Sequence, residues 1–251
     1  MNYTIFHTFQ NKKKQLNAII NNFNNSGEIF GNPNRNVIKL FELDGKILNI
    51  KSFKVPNLIN KIIYRFLRKS KAQRSFEYAN KLTQLNIGTP QPIAYFKKKS
   101  LLFLKESYYI SEHLDCDLTY RELVENPDYP NHETILRQFT QFTYKLHENN
   151  ICFLDHSPGN TLIKKNGEDY DFYLVDLNRM HFKTLSFDER MVNFSRLTPK
   201  KEMVAIMSDE YAKLINEDYT KIYNTMWNLT AKFQEKYFRK KRLKQKYLGR
   251  K

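Results

Sequence analysis

Five polar residues stand beside apolar runs, at spacings that suggest chemistry. Asp155 and Asn160 lie five positions apart inside "ICFLDHSPGNTLIKK", and Asp176 ends the apolar run "YLVD". Lys51 lies in the strand-like segment "LNIKSF", and Glu77 lies in the helical segment that follows. Phosphoryl transfer needs an acid that orients the attacking hydroxyl, groups that hold magnesium, and a cation on the phosphates. These five residues therefore predict phosphoryl transfer.

The order of the five residues along the chain is the order found in kinases. It predicts that Lys51 and Glu77 form an ion pair that binds the nucleotide phosphates, with Asp155 as the catalytic acidic residue that orients the attacking hydroxyl. Asn160 and Asp176 are predicted to hold the metal. Glu77 is the only acid between positions 46 and 105, against fourteen Lys or Arg, so the partner of Lys51 is unambiguous. Each residue alone could equally be a turn residue, a cap or a solvated surface residue. Only the ordered set of five favours catalysis.

Two histidines lie close to the candidate loop. His156 follows Asp155 directly, and we expect it to position the loop by hydrogen bonding rather than to act as a base. His147 falls on the preceding helical segment, where we expect a packed histidine.

The elements that must position these residues can be read from hydrophobic periodicity. Asp44-Gly45 and Asn166-Gly167 each separate two short apolar runs, which predicts two hairpins. Helical patterns extend over Leu58–Asn86, over His132–Asn149 and over most of the chain after Phe187, and "SGEIFGNPNRN" is typical of a loop. This order predicts an α+β, two-lobed, protein-kinase-like fold. Residues 1–115 would form a β-rich, nucleotide-anchoring lobe, and residues 116–251 a mostly helical catalytic lobe with a basic tail.

Composition narrows the class of protein. The chain has 251 residues, 41% of them hydrophobic, and a formal net charge of +16, which favours anionic partners. Its two cysteines, Cys116 and Cys152, have no disulfide or metal-ligand spacing. We find no signal peptide and no run of about 18 apolar residues, so a cytoplasmic protein is expected.

The chain resembles the lipopolysaccharide kinases, which phosphorylate Kdo or heptose in the inner core of the outer-membrane glycolipid. The resemblance depends on "RNVIKLFELDGKILNIKSFK", "KAQRSFEYANKLTQLNIGTPQPIAYF", "LHENNICFLDHSPGNTLI", "FYLVDLNRM" and "RMVNFSRL". It implies a protein-kinase-like fold, use of ATP with Mg²⁺ or Mn²⁺, and the five roles given above.

The chain departs from protein kinases in two places. The segment around Gly31 has no G-x-G-x-x-G, so phosphate contact would depend on the backbone N–H groups of residues 31–36, together with Arg35. Leu-Asn follows Asp176 where protein kinases have Phe-Gly, and no A-P-E element is present. A lipopolysaccharide core or another sugar therefore fits better as the acceptor than a protein.

Three other functions remain open from the sequence. Aminoglycoside-type phosphotransferases share the Asp-to-Asn spacing, and a kinase-like binding module could lack activity. The charge alone would suit a nucleic-acid-binding protein, but no binding module for nucleic acid is present. Basic residues could also steer the protein to an anionic membrane surface, as a peripheral contact on the cytoplasmic face of the inner membrane.

Overall fold

The protein consists of two compact units. The computed structural model describes residues 1–32, 36–53, 69–99 and 104–248. The first unit contains Met1–Asp115 and Val175–Arg179, and the second contains Cys116–Leu174 and Met180–Lys251. A β-rich N-terminal region is followed by a largely helical C-terminal region, which confirms the predicted α+β class.

The first unit is built on one antiparallel sheet. Its strands are β1 (Asn2–Ile5), β2 (Glu28–Phe30), β3 (Val37–Leu43), β4 (Lys46–Phe53), β5 (Pro92–Lys99) and β6 (Leu104–Glu112). Within the described residues the strand order is β1-β5-β6-β4-β3-β2. The helices among its described residues are α1 (Lys13–Asn21) and α2 (Lys71–Gln84), and a 3₁₀ segment covers His7–Lys12.

Strand β4 occupies the middle of this sheet and has two different faces. Leu48 and Ile50 point to one face, where they are buried in a core shared with Leu16 and Ile20 of α1. Phe53 points to the other face and packs with residues of α2. Since side chains alternate along a strand, Lys51 lies on the α2 face.

The predicted hairpin at Asp44-Gly45 is confirmed. Both residues have positive φ angles, 52° and 74°, as the two central residues of a tight hairpin turn require. The second hairpin also forms, but its two-residue loop is Gly167-Glu168, one position later than predicted, because Asn166 pairs with Asp169.

Two sequence predictions were wrong in detail. The helix predicted over Leu58–Asn86 is interrupted, because Lys69 and Ser70 are not helical and α2 begins after Ser70. Residues 54–68 lie outside the described part. Ser70 caps the helix by accepting a hydrogen bond from the Gln73 N–H at 3.1 Å, which stabilises a helix start at that point.

The second error concerns the segment predicted as a loop, which contains strand β2. Three residues are too few to display an alternating pattern, and the strand exists because it pairs with β3. A Cβ at Gly27, which precedes this strand, would lie 2.4 Å from the ring of Phe41, so the close approach requires glycine.

The second unit is mostly helical. Its helices are α3 (Tyr120–Glu125), α4 (His132–Glu148), α5 (Phe187–Phe194), α6 (Lys201–Ile215) and α7 (Tyr219–Leu248). Its strands are β7 (Leu118–Thr119), β8 (Ile151–Phe153), β9 (Thr161–Asn166), β10 (Asp169–Leu174) and β11 (Met180–Phe182). They form a sheet of order β10-β9-β7 and a β11-β8 pair, and a 3₁₀ turn covers Pro158–Asn160.

One apolar core holds these helices together. Leu136 and Phe139 of α4, Tyr211 of α6 and Met226 of α7 are all fully or almost fully buried in it. Among the helices that the structure describes, none combines the length and apolar character needed to cross a membrane.

Candidate active site

Lys51 and Asp176 meet in the first unit. The Lys51 Nζ lies 2.7 Å from Asp176 Oδ1, with the Lys51 side chain 15% exposed. Strands β3 and β6 flank Lys51 on both sides in the sheet, and its ammonium lies 5.5 Å from the centre of the Phe53 ring. The structure therefore brings the predicted phosphate-binding cation next to a predicted metal ligand.

The backbone of Asp176 is in the left-handed region, with φ of 58°. Asp tolerates this region better than most residues, but the conformation still carries strain. The Asn178 Nδ2 donates to the same Oδ1 atom that contacts Lys51, at 2.7 Å. Asn178 therefore helps to fix the carboxylate after the turn that follows β10.

Glu77 has other partners than the one predicted. Its carboxylate accepts hydrogen bonds from Lys69 Nζ at 2.8 Å and from Gln73 Nε2 at 2.9 Å. The hydrogen bond to Glu77 raises the pKa of Lys69. Among the ion pairs of the described residues, Lys51 is joined to Asp176 and Glu77 to Lys69, so the direct Lys51–Glu77 pair is not formed in this structure. The reason is competition, because each residue has a nearer opposite charge.

The predicted phosphate loop is described only in part. Gly31 has a φ of 73°, and a Cβ added there would meet no heavy atom within 4 Å. Glycine at position 31 adopts this positive φ without the strain that a Cβ would cause. Arg35 lies outside the described residues.

The Asp155–Asn160 loop belongs to the second unit and is closed by its own amide. Asn160 Nδ2 donates to the Asp155 carbonyl oxygen at 2.8 Å and to Ser157 Oγ at 3.2 Å. The spacing of five residues therefore lets the Asn160 amide reach back to the Asp155 carbonyl and close the loop. Since Nδ2 makes these bonds, Oδ1 is the atom of Asn160 that can ligate a metal ion.

Arg196, to which the sequence assigned no role, holds Asp155. Its Nη1 donates to the Leu154 carbonyl oxygen at 2.8 Å and lies 3.2 Å from Asp155 Oδ1. The Asp155 side chain is 18% exposed, so it is sheltered but still reachable. The arginine follows α5 in "RMVNFSRL", and no spacing rule connects it to position 155, which is why sequence reasoning missed it.

A buried polar network lies beneath the loop. The Asn193 Nδ2 donates to the Phe153 carbonyl oxygen at 2.8 Å, so its Oδ1 is the acceptor that faces His147 Nε2 at 3.2 Å. The other ring nitrogen, Nδ1, is 2.8 Å from the Tyr211 hydroxyl. This arrangement requires the neutral Nε2–H tautomer of His147. Burial agrees with it, since it lowers the pKa of His147 to about 4.

His156 is a packed, neutral ring. It is 1% exposed and lies between the rings of Phe139 and Phe153, with centroid distances of 5.4 and 5.8 Å. Burial lowers the pKa of His156 to about 3. Neither ring nitrogen of His156 has a hydrogen-bond partner among the described residues, so the expected positioning by hydrogen bonding is wrong and ring packing holds the side chain. His147 is buried as expected, but through hydrogen bonds as well as packing.

Comparison with models of known protein families identifies the family of this chain. The model of the lipopolysaccharide kinase (Kdo/WaaP) family matches residues 23–219. The chain belongs to the Kdo/WaaP lipopolysaccharide kinase family. The match includes Lys51, Glu77, Asp155, Asn160 and Asp176, so all five candidate residues lie inside the family region, and the predicted family is confirmed.

A solved structure supports the fold of this Kdo/WaaP family member. WaaP in complex with acyl carrier protein aligns with a TM-score of 0.65 at 12% sequence identity, covering 94% of this chain and 98% of that chain. At that identity the likeness establishes the kinase-like fold and nothing finer. Among curated proteins, none matches the chain in sequence.

The donor set suits magnesium bound to a nucleotide. The carboxylate of Asp176 and the amide oxygen of Asn160 are hard oxygen ligands, which Mg²⁺ and Mn²⁺ prefer. The described residues contain no group of three or more His, Cys, Asp or Glu that could hold a metal by themselves. Two protein ligands completed by phosphate oxygens are the usual arrangement for Mg²⁺. That Asn160 and Asp176 hold the same ion stays a prediction.

Proposed function

We propose that the protein is an ATP-dependent kinase that phosphorylates a sugar hydroxyl, on Kdo or heptose, in the inner core of lipopolysaccharide. The Lys51–Asp176 contact carries the proposal. These two residues come from distant parts of the chain, were assigned to phosphate and metal from the sequence, and lie 2.7 Å apart. A chance lysine on a sheet would be solvated, whereas Lys51 is largely covered.

Each side chain has a defined task in this reaction. Lys51 holds the ATP phosphates by its charge, and Asn160 and Asp176 supply oxygen ligands for Mg²⁺ or Mn²⁺. The metal, when bound, neutralises charge on the phosphates. Asp155 accepts a hydrogen bond from the sugar hydroxyl and takes its proton as the oxygen attacks the γ-phosphorus. The bond between that phosphorus and the leaving ADP oxygen breaks in the same displacement.

The segment after Asp176 supports a sugar acceptor over a peptide. Strand β11 begins at Met180 and helix α5 at Phe187, so little chain separates the metal ligand from the next helix. Protein kinases use a longer segment in this region to hold peptide substrates. The intact set of five residues also favours an active kinase over a binding module without activity.

Mass spectrometry tests the proposal most directly. Purified protein, ATP and Mg²⁺ should add one phosphate to core glycolipid, and fragmentation should locate it on Kdo or heptose. EDTA should abolish the transfer. Phosphate transfer to aminoglycosides in preference to core sugars would favour the small-molecule phosphotransferase instead.

The place of action and one partner belong to the same proposal. A cytoplasmic protein that acts on the inner face of the inner membrane fits an acceptor that is a membrane glycolipid. Because WaaP has been found in a complex with acyl carrier protein, we include acyl carrier protein as a candidate partner here. Co-purification from a strain with tagged acyl carrier protein checks it.

A further inference from the structure

Helix α7 has two halves with different surroundings. In the first half, Ile222, Met226 and Thr230 are buried, and they belong to the face that packs on the core of the second unit. Every residue from 236 to 247 is exposed in the described structure. At 1.5 Å per residue, positions 232–248 extend the helix by about 25 Å.

Charge repulsion works against this exposed half. Between positions 232 and 248 the chain has eight Lys or Arg and one acid, Glu235. Four lysines follow one another at intervals of four residues, namely Lys232, Lys236, Lys240 and Lys244, so they form one row along the helix. Like charges at this spacing destabilise a helix. An anionic surface against the row would offset this repulsion.

Apolar side chains flank the lysine row. At 100° per residue, Tyr237 lies on one side of the row, and Leu243 and Tyr247 lie on the other. All three are exposed, Tyr247 by 71%. Mixed rows of Lys and Tyr or Leu are typical of helices that lie in the headgroup region of a membrane, because the lysine stems and the rings enter the apolar layer while the ammonium groups stay outside.

The exposed half of α7 begins beside the catalytic loop. Phe233 lies under the guanidinium of Arg196, whose Cζ is 5.5 Å from the ring centroid. The same guanidinium is bonded to Asp155. A surface bound along the exposed half would therefore reach up to the side of the second unit that carries Asp155.

We propose that the row Lys236, Lys240 and Lys244, with Tyr237, Leu243 and Tyr247 beside it, binds an anionic phospholipid surface and so brings Asp155 to a membrane-embedded acceptor. The second part of this inference rests on the proposed function, and the binding itself does not. The family's substrate is a membrane glycolipid, which favours a lipid surface over nucleic acid as the partner of this helix.

Vesicle flotation tests the binding with the full-length protein. The wild type should float with vesicles of phosphatidylcholine and phosphatidylglycerol, stay behind with phosphatidylcholine alone, and be released at high salt. Each Lys near an anionic surface contributes about fivefold in affinity, so K236Q/K240Q/K244Q should weaken binding by about a hundredfold. Y237S/Y247S should weaken it less and leave the salt dependence unchanged.

A matched control separates the position of the charges from their number. The variant K14Q/K164Q/K165Q also loses three exposed lysines, none of them on α7, and should bind vesicles nearly as well as the wild type. Equal losses in both triple variants would overturn the proposal, as would equal binding of the wild type to both kinds of vesicle. So would release of the wild type from anionic vesicles by stoichiometric single-stranded RNA or polyglutamate.

Two acceptors distinguish this inference from the kinase proposal. K236Q/K240Q/K244Q should phosphorylate a lipid-free core saccharide at the wild-type rate and lipopolysaccharide in anionic vesicles more slowly. If the wild type binds vesicles but phosphorylates neither acceptor, the kinase proposal fails and the membrane site stands. If the triple variant loses no activity on the vesicle acceptor, the docking role fails and the kinase proposal stands.

Discussion

The Asp155 loop of the second unit and the Lys51 cluster of the first are held by different kinds of contact. Around Asp155 the anchoring side chains bond to backbone: Asn160 to the Asp155 carbonyl, Arg196 to the Leu154 carbonyl, and Asn193 to the Phe153 carbonyl. Around Lys51 the contacts join side chain to side chain, as in Lys51–Asp176 and Glu77–Lys69. Backbone anchors fix one geometry, whereas a side chain in an ion pair can swing to another opposite charge without moving the backbone. A substitution at Asp155 should therefore alter activity without altering the conformation of the loop. A change of charge near Lys51 should instead alter which side chains pair with one another.

The largest effect is expected at Asp155. Asp155→Asn keeps the shape of the side chain and the backbone bonds of the loop, but it removes the proposed proton acceptor. Phosphate transfer should fall by about 10²–10⁴-fold while ATP still binds. Rate measurements on core glycolipid and calorimetric ATP titration check this. Asp171→Asn, an exposed carboxylate on β10, is the matched control and should leave both unchanged. Near-normal turnover by Asp155→Asn would show that the residue only shapes the turn.

Lys51 and Glu77 should differ in their importance. Lys51→Ala removes the cation proposed to hold the phosphates and should cost about 10²-fold or more in kcat/KM for ATP, as the loss of a charge-stabilising donor does. Glu77→Gln should cost much less, because the structure joins Glu77 to Lys69 and Gln73. Steady-state kinetics on both variants show whether Lys51 acts with Asp176 or with Glu77 during the reaction. Lys46→Ala, on the same strand, is the control. An equal loss in both variants would indicate that Lys51 and Glu77 pair directly when ATP binds.

The buried histidines make the loop region sensitive to acid. His147 and His156 are neutral when folded, with pKa values lowered to about 4 and about 3, while an unfolded histidine titrates near its ordinary value of 6.5. Below pH 6.5 the unfolded chain binds protons that the folded chain does not, so stability is highest above that pH and falls as the pH drops. Between pH 7.5 and pH 5 the loss should be about 2 kcal/mol for each histidine.

Urea denaturation across this pH range measures the effect. His147→Gln should lower stability at pH 7.5 and reduce the slope of stability against pH. The exposed His181→Gln is the control and should keep the wild-type slope. A wild-type stability that does not change from pH 7.5 to pH 5 would contradict the neutral, buried state of the pair.

Arg196 should matter through Asp155 rather than through stability. Arg196→Gln loses the bond to the carboxylate and should lower kcat by about tenfold with little change in KM for ATP, since a hydrogen bond to a charged group contributes about 1.5–3 kcal/mol. Added guanidinium should restore part of the rate of Arg196→Ala. A loss of thermal stability without rescue would mean that the arginine only supports the fold.

The smallest effect is expected at Gly31. Gly31→Ala meets open space, so its cost is conformational and should be about 1 kcal/mol or less in unfolding free energy. Gly31→Asn should cost less than Gly31→Ala, because Asn tolerates a positive φ better. Thermal unfolding and KM for ATP measure both variants. A large rise in KM with unchanged stability would place the phosphates against this turn.

Some features of the protein were determined by the sequence alone because they depend on neighbours in the chain. Asp44-Gly45 specifies a tight turn, and the spacing from Asp155 to Asn160 closes a loop in which the amide reaches the carbonyl. The order of strands and helices predicted the α+β class, and the family was predicted from a resemblance in five short segments. Turn dipeptides, short spacings and hydrophobic periodicity each involve residues close together in the chain, so they can be predicted from local stereochemistry.

Other features were decided only by the tertiary structure. Lys51 pairs with Asp176, and Arg196 bonds to Asp155. Both contacts join residues that are far apart in sequence and that folding places side by side. Strand β2 depends on the hydrogen bonds that β3 offers it. Helix α7 has no buried side chain from position 235 to 247, although its helical pattern continues. Hydrogen bonds and ion pairs act over a few ångströms in space whatever the separation along the chain. Spacing in the sequence therefore could not assign these partners.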